Sequence, residues 1–204
     1  SYVVTTDSPL NPQQRNAAHL HDNALAMLAY AALARDESAD PATRDNARRR
    51  LGILADTLVW LQPHDRTFAD GRLRNVYWGG GDLADADGHA RLAAWYDAAQ
   101  PAWREDAYAA ESHAGNLAWA ALALTEAAVT LAPGPTADAA RQAAGQLLDW
   151  IESRLRADDA LGGYYGGLAG ADASQARLEW RSTEHNLDVA AAAARHHALT
   201  AEPR

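Results

Sequence analysis

Apolar positions recur at helical spacing in five stretches of the chain, separated by two long segments that lack any such period. The first stretch predicts a helix over 22–35, ending in a polar run at 36–40. The second begins at Pro41 with Asp40 as its N-cap, continues through Ile53, Leu54, Leu58 and Leu61, and stops before Pro63. The third covers 112–131 and is closed by Pro133-Gly134-Pro135. The fourth runs over 136–156 with Leu147, Leu148 and Ile151 on its apolar face, and the fifth opens at Ser182-Thr183-Glu184 and continues to about residue 199. The order reads as inner helix, outer helix, long connection, then the next inner helix.

The two connections, 63–111 and 157–181, are too long to be simple turns. Within the first, Asp70 to Trp78 predicts a short hairpin or extended loop, and 90–99 a short helix. The second contains Gly162-Gly163-Tyr164-Tyr165-Gly166-Gly167, whose glycines permit positive-φ turns.

A loose internal repeat links the inner helices. Asn23-Ala24-Leu25-Ala26, Asn116-Leu117-Ala118-Trp119 and Asn186-Leu187-Asp188-Val189 each begin an Ala/Leu-rich run. Acidic or His residues stand just ahead of each: His21 and Asp22, Glu111 and His113, Glu184 and His185. The pattern predicts an all-α chain of about two and a half antiparallel hairpins, forming one domain over 1–204. A closed six-hairpin barrel needs far more chain, so this reads as a fragment of a larger one, with self-association or the rest of the barrel as the implied partner.

Composition narrows the chemistry. The 204 residues are 48% hydrophobic, which suffices for one core, and alanine favours close helix packing. A net charge of −9 argues against a nucleic-acid surface. All 18 basic residues are Arg, so neither a Schiff-base lysine nor a P-loop lysine is present. With no cysteine, disulfides and thiolate chemistry are excluded. No apolar run approaches the ~18 residues of a membrane span, and no signal peptide is visible.

Candidate chemistry is densest at Trp180-Arg181-Ser182-Thr183-Glu184-His185-Asn186-Leu187-Asp188, where Glu184 and Asp188 share one helical face. Capping by Ser182 or Thr183, with Glu184 as first-turn charge, is the plainer reading of the same residues. Tyr164 and Tyr165 suit stacking on a sugar ring with a hydroxyl to offer, as do Tyr77 and Trp78 beside Arg72, Arg74 and Asn75. Asp22, with His19, His21 and Asn23, supplies a carboxylate that would face Glu184 if both helices are inner ones; glycoside hydrolysis needs such a pair. The histidines lack helical zinc spacing, and Asp82, Asp85 and Asp87 miss the calcium-loop pattern, so no metal or other cofactor is expected.

Asp22-Asn23-Ala24-Leu25, Asp70-Gly71-Arg72-Leu73-Arg74-Asn75, Gly162-Gly163-Tyr164 and Ser182-Thr183-Glu184-His185-Asn186-Leu187-Asp188 together resemble the bacterial (α/α)6-toroid carbohydrate-active proteins of six-hairpin glycosidase type. The resemblance implies a saccharide substrate and a glycoside hydrolase with Glu184 paired to Asp22 or Glu111. Asn23, Arg74, Tyr77, Trp78, His113, Asn116, Tyr164, Tyr165, Trp180, Arg181, Asn186 and Asp188 would bind the sugar. The Gly-Gly-Tyr loop ahead of a His-bearing helix also resembles the N-acylglucosamine 2-epimerase group, in which His185, with His113, would move the proton. A non-catalytic helical-repeat binding module is the third reading.

Overall fold

The computed structural model describes residues 16–170 and 172–201. It contains β1 (Ala17–His19), α1 (Leu20–Arg35), α2 (Pro41–Leu61), β2 (Val76–Trp78), β3 (Ala94–Asp97), β4 (Ala102–Glu105), α3 (Ala107–Ala110), β5 (Ser112–His113), α4 (Ala114–Thr130), α5 (Pro135–Leu155), β6 (Gly167–Ala169), β7 (Ala176–Leu178) and α6 (Thr183–Ala201).

The expectation of an all-α chain is corrected. The chain is mixed, 54% helix and 15% strand, with three small antiparallel sheets. Its strands are two to four residues long, too short to leave a period-2 signature. They form because the long connections cross the ends of the helices, where unpaired backbone N–H and C=O groups need partners. The expected self-paired hairpin at 70–78 is instead β2 paired with β1, Ala17 opposite Trp78 and His19 opposite Val76. The expected helix over 90–99 is the β3–β4 hairpin, with Tyr96 opposite Trp103. There the Asp97 carboxylate accepts from the N–H groups of Ala99 and Gln100, closing a turn, and Pro101 cannot continue a helix.

The long helices stand where the periodicity places them, since each has a buried stripe and a stop. The Asp40 carboxylate caps α2, accepting from the Thr43 N–H at 3.0 Å, with Pro41 in the first turn. Pro135 opens α5. Helix α4 is buried nearly all round, from Ala114, Leu117 and Ala118 to Leu124, Ala127 and Ala128. That is the signature of a central helix, and α1, α5 and α6 all pack on it while α2 backs α1 and α5. Its alanines let neighbouring axes approach closely, and Leu20, Met27, Leu51, Leu73, Leu117, Leu124, Leu147, Ile151 and Leu155 fill the space between. Among the described residues no helix is long and apolar enough to cross a membrane.

Below this helix layer, residues 65–75 form a buried ionic strut. Arg74 is fully buried and grips Asp65 with two parallel hydrogen bonds, Nη2 to Oδ1 at 2.8 Å. It also pairs with Asp172 and donates to the Ala110 carbonyl at 3.0 Å. Arg72 pairs with Asp70, whose carboxylate also accepts from the Trp150 indole at 3.0 Å, and lies over the Phe68 ring. The guanidinium partners hold the Asp65 and Asp172 carboxyls below the usual carboxylate range, against the opposing effect of burial.

Arg74→Ala would leave the Asp65 carboxylate, only 3% exposed, without its counter-charge. A loss of about 3–5 kcal/mol is expected, read as a lower urea midpoint. Arg74→Lys should recover only part of it, because an ammonium cannot make the two parallel bonds.

Candidate functional site

Helices α1, α4 and α6 begin side by side, and their first turns enclose a polar cavity of about 300 Å³. Helix N-termini present unpaired N–H groups and the positive end of the backbone dipole, so this is a location that favours anionic groups. Asp22 comes from α1, Gly115, Asn116 and Trp119 from α4, and Glu184, His185 and Asp188 from α6; His19, His21 and Tyr108 complete the wall. The structure therefore brings Asp22 and Glu184 into one cavity.

One residue aligns these helix starts. Asn75 is buried, and its carbonyl accepts from the Leu20 N–H at 2.8 Å, at the start of α1. Its side-chain oxygen accepts from the His113 N–H at 3.0 Å and from Asn116 Nδ2 at 2.8 Å, at the start of α4. Its amide donates to the Tyr108 carbonyl at 3.2 Å, and its own N–H donates to the Glu111 carbonyl at 2.7 Å. The repeated asparagines act locally as well. Asn23 donates to the His19 carbonyl and Asn186 to the Ser182 carbonyl, each one turn back.

The rings in and beside the cavity meet edge to face, except for the tilted Trp180–His185 pair. His21 meets Trp119 at 5.5 Å, and a second row runs Tyr108, His113, Trp180, His185, with centroid separations of 5.2, 6.1 and 5.4 Å. Glu111 orients His113 through a 2.8 Å contact between Oε2 and Nε2. The His185 ring lies against Gly115, where an added Cβ would sit 2.4 Å from its Cδ2, so only glycine admits the ring there.

Two groups in the cavity are pushed toward their neutral forms. Burial, and then the nearby His113, lower the pKa of His185. Burial and the Glu184 charge raise that of Asp188, against a hydrogen bond from Trp119. His185 Nδ1 is buried without a hydrogen-bond partner. Asp22, by contrast, is half exposed, 3.7 Å from His21 Nδ1, and Glu184 is exposed.

The other expected site residues lie elsewhere. Arg74 belongs to the ionic strut. Tyr77 is buried, and its hydroxyl accepts from the Arg74 N–H at 2.8 Å. Asn23 faces α2 and Tyr77, away from the acidic cavity. The Gly-Gly-Tyr loop turns both rings away as well. Tyr164 donates to Glu152 at 2.7 Å, and Tyr165 is buried beneath Arg177 and Arg181. Arg181 itself pairs with Asp159. Asn186 clamps this loop, exchanging hydrogen bonds with the N–H and carbonyl of Tyr164. Trp78 lines a different, larger cavity.

Tyr108, Trp119 and Gly115 were not singled out by the sequence. Trp119 stands three residues past Asn116 on the same helical face, which is the one signal that could have found it. Away from this cavity, Asp85, Asp87 and His89 bring one ligand atom each within 4.8 Å of one another. The Asp85 carboxylate already accepts from the N–H groups of Asp87 and His89.

His185 predicts a pH dependence of stability. In the unfolded chain it takes up a proton near its ordinary value of 6.5, and in the folded protein only at lower pH. Between the two the unfolded state binds more protons, so this stability is complete above 6.5 and is lost as pH falls below it. Asp188 acts in the opposite sense, losing stability as pH rises above the ordinary 3.8. Urea midpoints measured across about pH 5–7 should fall toward acid in the natural protein, and His185→Gln should flatten that fall. No protein-family model matches the chain, and no curated protein matches it in sequence.

Proposed function

We propose that this chain carries the acid–base site of a carbohydrate-active enzyme that hydrolyses glycosidic bonds. The observation that supports this most directly is the meeting of carboxyl groups from two helices in one cavity, with different surroundings. Asp188 is half-buried, and burial raises its pKa, whereas Asp22 and Glu184 face water. Carboxyls set in unlike environments are what an acid and its partner base or nucleophile require.

In this reading Asp188 protonates the departing glycosidic oxygen. Asp22, from α1, or Glu184, one turn earlier on α6, activates water or attacks the anomeric carbon. Trp119 and Tyr108 offer flat faces to the sugar, and Asn116 with His19, His21 and His185 bonds its hydroxyls. Asp188→Asn and Glu184→Gln should each lower kcat by about 10²–10⁴ in release of reducing ends from soluble polysaccharides. If Asp188 is the acid, its variant should be spared on aryl glycosides, whose leaving group needs no proton. Turnover unchanged by both substitutions would sink the assignment.

A second reading is favoured by a separate observation. Glu111 holds His113 in place, and His185, on the far side of Trp180, is biased toward the neutral form a base needs. Such a pair suits proton transfer at a sugar carbon next to a carbonyl, the chemistry of an epimerase. Incorporation of deuterium at sugar C2 in D2O, without release of reducing ends, would decide for this reading over hydrolysis.

A further inference from the structure

A second cavity, of about 570 Å³, lies between β2 and the β3–β4 hairpin and is no part of the acidic cavity. Trp78, Leu92, Ala94 and Trp103 form its apolar surface, and Arg91 and Glu105 stand at its edge. Trp103 is 68% exposed and Tyr96, packed edge-on against it at 5.9 Å, is 54% exposed. Two large aromatic rings held in water on a two-stranded hairpin contribute little to the core, and exposed apolar groups of this kind mark contact surfaces. The hairpin is anchored all the same: Arg66 binds the Glu105 carboxylate through both oxygens, with Nη2 to Oε2 at 2.6 Å, and also binds Asp172.

A third cavity, of about 240 Å³, is lined in part by Ala17, His19 and Val76 of the β1–β2 pair. It shares His19 and Tyr108 with the acidic cavity, and its Ala17 stands opposite Trp78 of the large one. The β1–β2 register measures the path: His19 opposite Val76 lies at the acidic end and Ala17 opposite Trp78 at the other, two strand residues or about 7 Å further on.

We infer that the substrate is an extended saccharide chain, whose reacting bond sits in the acidic cavity while its further residues run past His19 and Tyr108 to a distal subsite formed by Trp78 and Trp103. The inference rests on the hydrolase reading above and deepens it. Flat indole faces take the C–H faces of sugar rings, and the charged rim of Arg91 and Glu105 takes hydroxyls. A small glycoside would fill the acidic cavity and leave the aromatic one empty, so the structure favours long substrates over short ones.

The test compares kcat/KM on hexasaccharides and disaccharides of the cello-, xylo-, malto- and chito- series. The natural protein should prefer the hexasaccharide of its series by about tenfold or more. Trp103→Ala should reduce that preference to within about twofold, and Trp103→Tyr, which keeps a flat ring, should retain most of it. Equal rates on both lengths, or a preference that survives Trp103→Ala, would overturn the distal subsite while leaving the hydrolase reading intact. Failure to cleave any member of either length would overturn both.

Discussion

The architecture turns on the hydrogen bonds of one buried asparagine. Through its backbone and side chain, Asn75 joins the start of α1, the last turn of α3 and the start of α4. Burying a donor or acceptor at a helix terminus without a partner costs about 1–3 kcal/mol, and the Leu20 N–H at the start of α1 is paired through Asn75. Asn75 is held from below by the ionic strut, because its neighbour Arg74 is locked to Asp65, Asp172 and the Ala110 carbonyl. The helices thus acquire a common level, and a cavity exists only because their first turns end together.

That placement shapes the electrostatics. Three positive helix ends converge on one polar space, which makes it hospitable to carboxylates and poor for protonated histidine. Asp22 and Glu184 sit in the first turns of α1 and α6. Asp188 lies one turn deeper on α6, below Glu184 and beside Trp119, where burial outweighs its hydrogen bond. His185, held over Gly115 without a partner for Nδ1, follows the same logic with the opposite sign.

The strands do more than decorate the helices. β1 brings His19 to the acidic cavity and β2 brings Trp78 to the aromatic one, and β5 delivers His113 to the head of α4. The β3–β4 hairpin adds the outer wall of the large cavity. The segment 63–111, which lacks helical period, therefore supplies most of the strut, the Asn75 node and the walls of the aromatic cavity.

Helix positions were legible because each carries its own stop signals and buried stripe. Asp40-Pro41, Pro63 and Pro133-Gly134-Pro135 act through neighbours in the chain, and the bounds of α2 and α5 follow them closely. The cluster Glu184-His185-Asn186-Asp188 and the Asp22 group stood out for the same reason, as polar residues concentrated at helix starts. The pairing of β1 with β2, the burial of Arg74 and Tyr77, the turning of Tyr164 and Tyr165 away from the cavity, and the roles of Tyr108, Trp119 and Trp103 were not legible. Most of those outcomes depend on contacts that range from 12 positions apart, as for Tyr164 with Glu152, to 98, as for Arg74 with Asp172. Local sequence determined where helices begin and which polar groups stand at their ends. Only the tertiary structure decided which of those ends meet, because a polar side chain becomes strut, clamp or site according to what long-range packing sets against it.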